Sequence, residues 1–69
     1  MDSADIVRMA NQIAKFFAAY PHDEAVSGVM GHIRDFWEPR MKAALRAYIA
    51  AGGQGLEPLV KEAAAKLPA

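Results

Sequence analysis

The chain has no cysteine, and for a protein of 69 residues that absence constrains most of what it can fold into. A chain this short buries only about 60% of the surface it exposes when unfolded. One core of that size rarely supplies more than ~3–5 kcal/mol. Disulfides and thiolate metal sites, two common supplements, are both ruled out. What remains is very regular helix packing or association with a partner. Hydrophobic residues make up 54% of the chain, enough to serve either.

The periodicity points to helices. β-Branched residues are few and isolated, alanine is abundant, and apolar residues recur at a 3.6-residue period. The pattern predicts an all-α fold, a small bundle of three main helices plus a short C-terminal helix, with residues 1–69 as a single small helical domain. The first helix should run from about Ala4 to Tyr20, capped by Asp2 or Ser3 and with Asp5 in its first turn, where a negative charge suits the helix dipole. Its apolar stripe is Ile6, Met9, Ala10, Ile13, Phe16, Phe17 and Tyr20, opposite Arg8, Asn11 and Lys15. Pro21 closes it, because a residue before proline is pushed out of the helical region.

A second helix is predicted from about Asp23 to Phe36 or Trp37, with Val26, Val29, Met30, Ile33, Phe36 and Trp37 on one face. Pro39 opens a third, to about Ala51, since the first helical position has no use for the missing N–H. Its apolar face is Met41, Ala44, Leu45, Tyr48 and Ile49. Residues 52–56 form a Gly-rich linker to a C-terminal helix from about Glu57 to Lys66, again opened by a proline, Pro58. Alanine gives this last helix propensity but little to bury, so it is expected to be the least firmly held part.

Charge and motif exclude several functions. Eight Lys+Arg balance eight Asp+Glu, so the chain lacks the basic footprint that nucleic-acid binding requires. A helix-turn-helix reader would want a third helix rich in base-reading side chains; it has Arg40, Lys42 and Arg46, in a neutral chain. No segment approaches the ~18 apolar residues of a membrane span, and the start lacks a basic region followed by an apolar run, so no membrane and a cytoplasmic location are expected. "IAKFF" lacks the basic polar face of a membrane-surface helix. His22 and His32 are ten residues apart on separate elements, without metal spacing. Ser3 reads as a cap and Ser27 has no activating neighbour. The run Gly52 to Gly55 follows a helix and lacks the Lys-Ser/Thr ending of a phosphate loop. No catalytic, cofactor-binding or metal residue is therefore assigned to this chain.

Two features are less ordinary. Gly28 and Gly31 fall opposite the apolar stripe of the second helix, where each costs ~1 kcal/mol relative to alanine. They reflect either local tolerance or a close approach by another backbone. Trp37 continues the stripe of the second helix and sits beside Pro39, Arg40 and Met41. It reads as a core residue at the corner between helices, and tryptophan and arginine are also frequent interface anchors. A bundle with so little interior leaves some of its aromatic residues exposed, and a large exposed apolar patch marks a contact site.

The stretches "DIVRMANQIAKFFAAYP" and "EAVSGVMGHIRDFWEPRMKAAL" carry a resemblance. Together, Ala10-Asn11-Gln12-Ile13-Ala14, Phe16-Phe17, Tyr20-Pro21, Gly28-Val29, His32-Ile33, Phe36-Trp37 and Pro39-Arg40-Met41 resemble the small delta subunit of cytoplasmic NAD-dependent, molybdenum- or tungsten-containing formate dehydrogenases. The resemblance covers about Asp5 to Ile49 and leaves the tail unassigned. It implies a non-catalytic accessory subunit that holds no cofactor itself. The other formate dehydrogenase subunits would carry pterin-bound Mo or W, iron–sulfur clusters and FMN. The large catalytic subunit is the expected partner. Gly28, Val29, His32, Phe36, Trp37, Pro39, Arg40 and Met41 would then form the partner-binding surface. The competing reading is a self-associating small helical module, whose isologous dimer would bury the same apolar surface.

Overall fold

The computed structural model describes residues 2–68 and contains four helices in the order α1 (Ser3–Phe17), α2 (His22–Phe36), α3 (Pro39–Ala50) and α4 (Pro58–Ala65). The described residues include no strand. Asp2 is the cap of α1: its Oδ1 accepts from the Asp5 N–H at 3.1 Å, and Asp5 pairs with Arg8 at 3.0 Å one turn on. Pro39 and Pro58 open α3 and α4 as expected.

α1 stops three residues short of the expected end. The Ala18 N–H reaches Lys15 O at 3.4 Å and the Tyr20 N–H reaches Phe17 O at 3.0 Å, so the chain tightens into a turn before Pro21. Proline restricts the residue before it, and three residues are used to make the turn into α2.

α1 and α4 both pack chiefly against α2, while α3 packs on α1 and α4 and has little contact with the helix that precedes it. The core joins Ile6, Ala10 and Ala14 of α1 to Val26, Val29 and Ile33 of α2, Trp37 at the corner, Leu45 of α3, and Leu56, Val60, Ala63 and Ala64. No buried polar or charged residue among the described residues interrupts it.

The C-terminal helix is thus a structural element of the core, contrary to its expected looseness. Val60 and Ala63 are fully buried. Alanine contributes little area of its own, but a small side chain lets α4 approach α2 closely, so that Val60 and Leu56 are covered on all sides. The stretch before it is equally fixed. The Gly52 N–H donates to Ile49 O and the Gly53 N–H to Tyr48 O, both at 2.9 Å, closing the end of α3 through left-handed glycines at φ 125° and 62°. Asn11 then clamps the turn to α1. Its Nδ2 donates to Gly55 O and its Oδ1 accepts from the Glu57 N–H, both at 2.9 Å. The Tyr48 hydroxyl donates to Gln54 O.

Candidate docking surface

The apolar stripe of α1 is turned with respect to the core. The line that faces inward is Ile6, Ala10 and Ala14, while Met9, Ile13 and Phe17 are half-buried, and Phe16 and Tyr20, expected in the buried stripe, are 68% and 48% exposed. Phe16 lies about 120° round the helix from Ala10. The reason is spatial: neighbouring helices approach α1 along its alanines, because small side chains permit close approach, and the bulky aromatic edge is left outside. Tyr20 also lies beyond the end of α1, so it no longer follows the helical stripe.

These aromatics hold one another. Phe16 meets Phe17 edge to face at 5.0 Å and 85°, and Tyr20 lies 5.6 Å from Phe17 and 6.5 Å from Phe16. Gly28 is what seats the group. A methyl group at Gly28 would lie 2.5 Å from Phe17 Cδ1 and closer still to Cε1, so the ring occupies the place of the missing side chain. The space is thus taken by an aromatic ring of the same chain and not by another backbone, the approach considered for this glycine. At Gly31 an added methyl would meet only the Arg34 side chain, at 3.7 Å.

On α2, Phe36 is 75% exposed although it belongs to the predicted stripe. It is the last helical residue, and α3 leaves without covering it. Trp37 steps out of the helix at φ −88° and ψ 139° and turns into the core, where it is 6% exposed. The His32 ring stacks on Phe36 at 5.0 Å. Lys42 reaches back from α3 to donate to Arg34 O at 3.1 Å, satisfying a carbonyl of the last turn of α2.

Between α1 and α2 lies an open groove of about 510 Å³, lined by Met9, Gln12, Ile13, Phe16, Phe17, His32 and Trp37. It contains no charged lining residue. A second groove, of about 460 Å³, lies on the polar side of α1 among Arg8, Asn11, Gln12, Lys15 and Glu57.

The eight residues expected to meet a partner are thus divided. His32 and Phe36 stand together on the surface beside the apolar groove, and Trp37 lines it from within the core. Pro39 and Arg40 are exposed at the start of α3, and Met41 is half-buried there. Val29 is fully buried, and Gly28 is half-buried beneath Phe17. Phe16, absent from that set, lines the apolar groove, and Tyr20 stands exposed next to Phe16. The signal in the sequence is the Ile6-Ala10-Ala14 line, which marks a close-packed face to one side of the bulkier stripe. On α3, Ala44 is exposed, leaving Leu45 as the fully buried residue of the predicted face.

Titratable groups are dispersed. Arg34 donates to both carboxylate oxygens of Asp35, at 2.8 and 3.2 Å, and these hydrogen bonds hold that carboxyl below the usual range. His22 Nε2 meets Glu62 at 2.8 Å, linking the start of α2 to α4. No three His, Asp or Glu side chains among the described residues converge as a metal site would require. Nor is any helix among them long and apolar enough to cross a membrane.

Fold and surface define a class: a small all-helical domain that presents an aromatic-rimmed apolar groove. A family model, that of the NADH-dependant formate dehydrogenase delta subunit FdsD, matches residues 5–64, and the chain belongs to this family. The match runs well past Ile49, through the glycine turn and most of α4, so the tail left unassigned by the resemblance belongs to the family's pattern as far as residue 64. No match is found among curated proteins or among solved structures.

Proposed function

We propose that the chain is a non-catalytic accessory subunit of a cytoplasmic NAD-dependent formate dehydrogenase, binding the large catalytic subunit and supporting assembly or durability of the complex. The family match over residues 5–64 carries this reading. The exposed aromatic edge supports it, because apolar surface of this kind is retained where a partner covers it. The pterin-bound Mo or W, the iron–sulfur clusters and the FMN of the complex would be held by the other subunits. A partner that binds only the folded form stabilises it by mass action, which suits a domain with a small core.

The contact surface comprises His32, Phe36, Pro39, Arg40 and Met41 with Phe16 and Tyr20, while Gly28, Val29 and Trp37 hold it in shape from below. The test is purification of the tagged chain from cells that also express the other subunits, with metal content and formate-dependent NAD reduction measured in the eluate. An active, metal-containing complex is expected. Recovery of the chain alone as a discrete oligomer would instead identify a self-associating module.

A further inference from the structure

Residues 38–52 are anchored firmly at their two flanks and thinly in between. On one flank Trp37, 6% exposed, is set in the core at the end of α2. On the other, Leu56 is equally buried, and Asn11 fixes Gly55 O and the Glu57 N–H to α1. Between them Leu45 is the one buried side chain, with Met41, Tyr48 and Ile49 half-buried around it, while Ala43, Ala44, Ala47 and Ala50 face water. Each of the other helices buries at least three residues, α4 within only eight.

The termini of α3 add little. Arg40 stands in its first turn, where a positive charge opposes the helix dipole; no acidic residue offsets it there, and the last turn has no basic residue. Without packing, a helix of 12 residues is marginal in water. The polar ties of α3 to the rest of the chain, from Lys42 to Arg34 O, from Arg46 to Pro68 O and from the Tyr48 hydroxyl to Gln54 O, are exposed, so water competes for each of them.

We infer that α3 is a flap, which opens and melts as a unit while α1, α2 and α4 stay folded. Its hinges are Glu38, already extended at φ −67° and ψ 155°, and Gly52, at φ 125° with open space around it. A segment with little buried apolar surface and water-exposed hydrogen bonds opens more readily than the core it covers. Opening gives up the seat of Leu45. It leaves Val29, Ile33 and Val60 in place, because α2 packs chiefly on α1 and α4 and has little contact with α3. This inference concerns the mechanics of the chain itself and does not depend on the accessory-subunit reading.

The test is native-state hydrogen exchange of the full chain, resolved by amide, at urea concentrations below the unfolding transition. Amides of residues 43–51 should exchange as one group, at least tenfold less protected than those of Val29 and Ile33, and with a weaker dependence on urea, since less surface is exposed. Ile33→Val then separates the two kinds of opening. Position 33 stays packed when only α3 opens, so exchange in α2 should quicken by about 2- to 12-fold while exchange in α3 is unchanged. Equal protection of α2 and α3 in the wild type, or equal acceleration of both in the variant, would overturn the inference.

Discussion

Replacing Gly28 and Gly31 by alanine in turn should give opposite results although both lie within α2. In an open helical position the exchange stabilises by about 1 kcal/mol, because glycine is the more costly residue to order. Gly31 has that freedom: the nearest atom to an added methyl is in the Arg34 side chain at 3.7 Å. Gly31→Ala should therefore raise the unfolding free energy by about 1 kcal/mol, or the melting temperature by roughly 4–8 °C. At Gly28 the methyl would lie 2.5 Å from Phe17 Cδ1. Carbon contacts settle at about 3.5–4.0 Å, so the ring must retreat by about 1 Å or more. Phe17 is held against Phe16 and Tyr20, and overpacking of this sort costs about 1–3 kcal/mol. The propensity gain offsets part of that, leaving a net loss of about 0–2 kcal/mol. The two variants should then differ by about 1–3 kcal/mol in urea unfolding followed by Trp37 fluorescence. Combining Gly28→Ala with Phe17→Leu provides the control, since a slimmer side chain at position 17 should turn the Gly28 substitution from loss to gain. If Gly28→Ala stabilises the wild-type background as much as Gly31→Ala does, Phe17 is not seated on Gly28 as described.

Three further outcomes are expected. Asn11→Ala should cost about 1–2 kcal/mol by removing two hydrogen bonds to the turn before α4, and amide exchange should accelerate in residues 55–60 first; uniform acceleration along the chain would deny the clamp. Val60→Ala should cost about 2–3 kcal/mol because Val60 is fully buried, a loss below 0.5 kcal/mol by thermal unfolding, roughly the level of surface substitutions, being incompatible with α4 in the core. Phe36→Ala should change stability by less than about 0.5 kcal/mol, since the ring is 75% exposed, yet weaken co-purification with the other subunits about tenfold or more; unaltered retention would take Phe36 out of the contact surface.

The helices were legible because each start carries a local chemical signal: Asp2 for α1, the acidic first turn after Pro21 for α2, and Pro39 and Pro58 for α3 and α4. The orientation of α1 was less legible. A helical wheel identifies an apolar arc, and Phe16 and Ala10 both fall within it, but which part faces inward depends on how closely other helices approach. That is decided where the alanines of α1 let the neighbouring helices come close. The same limit applies to α4, where alanine reads as propensity until a neighbouring surface makes it a closely packed wall. Gly28 admitted local tolerance or an approaching backbone; what fills its space is the Phe17 side chain of another helix, which no local pattern names. Asn11 gave no signal beyond its type; its two partners lie 44 and 46 residues away. Of the residues expected to meet a partner, His32, Phe36, Pro39 and Arg40 are exposed, and so are Phe16 and Tyr20, which the helical pattern assigns to the interior.

The place of α4 in the core also sets an order of events during synthesis. Val29 and Ile33 are fully buried, and α2 is covered largely by α4, whose last core residue is Ala64. A growing chain that has completed α2 at Phe36 must extend by 28 residues before that cover exists. At about 5–20 residues per second this takes roughly 1–6 s. Helices of 15 residues are marginal on their own in water. During those seconds Val29 and Ile33 lack the cover that residues 56–64 supply, so the core is closed only when the last helix arrives.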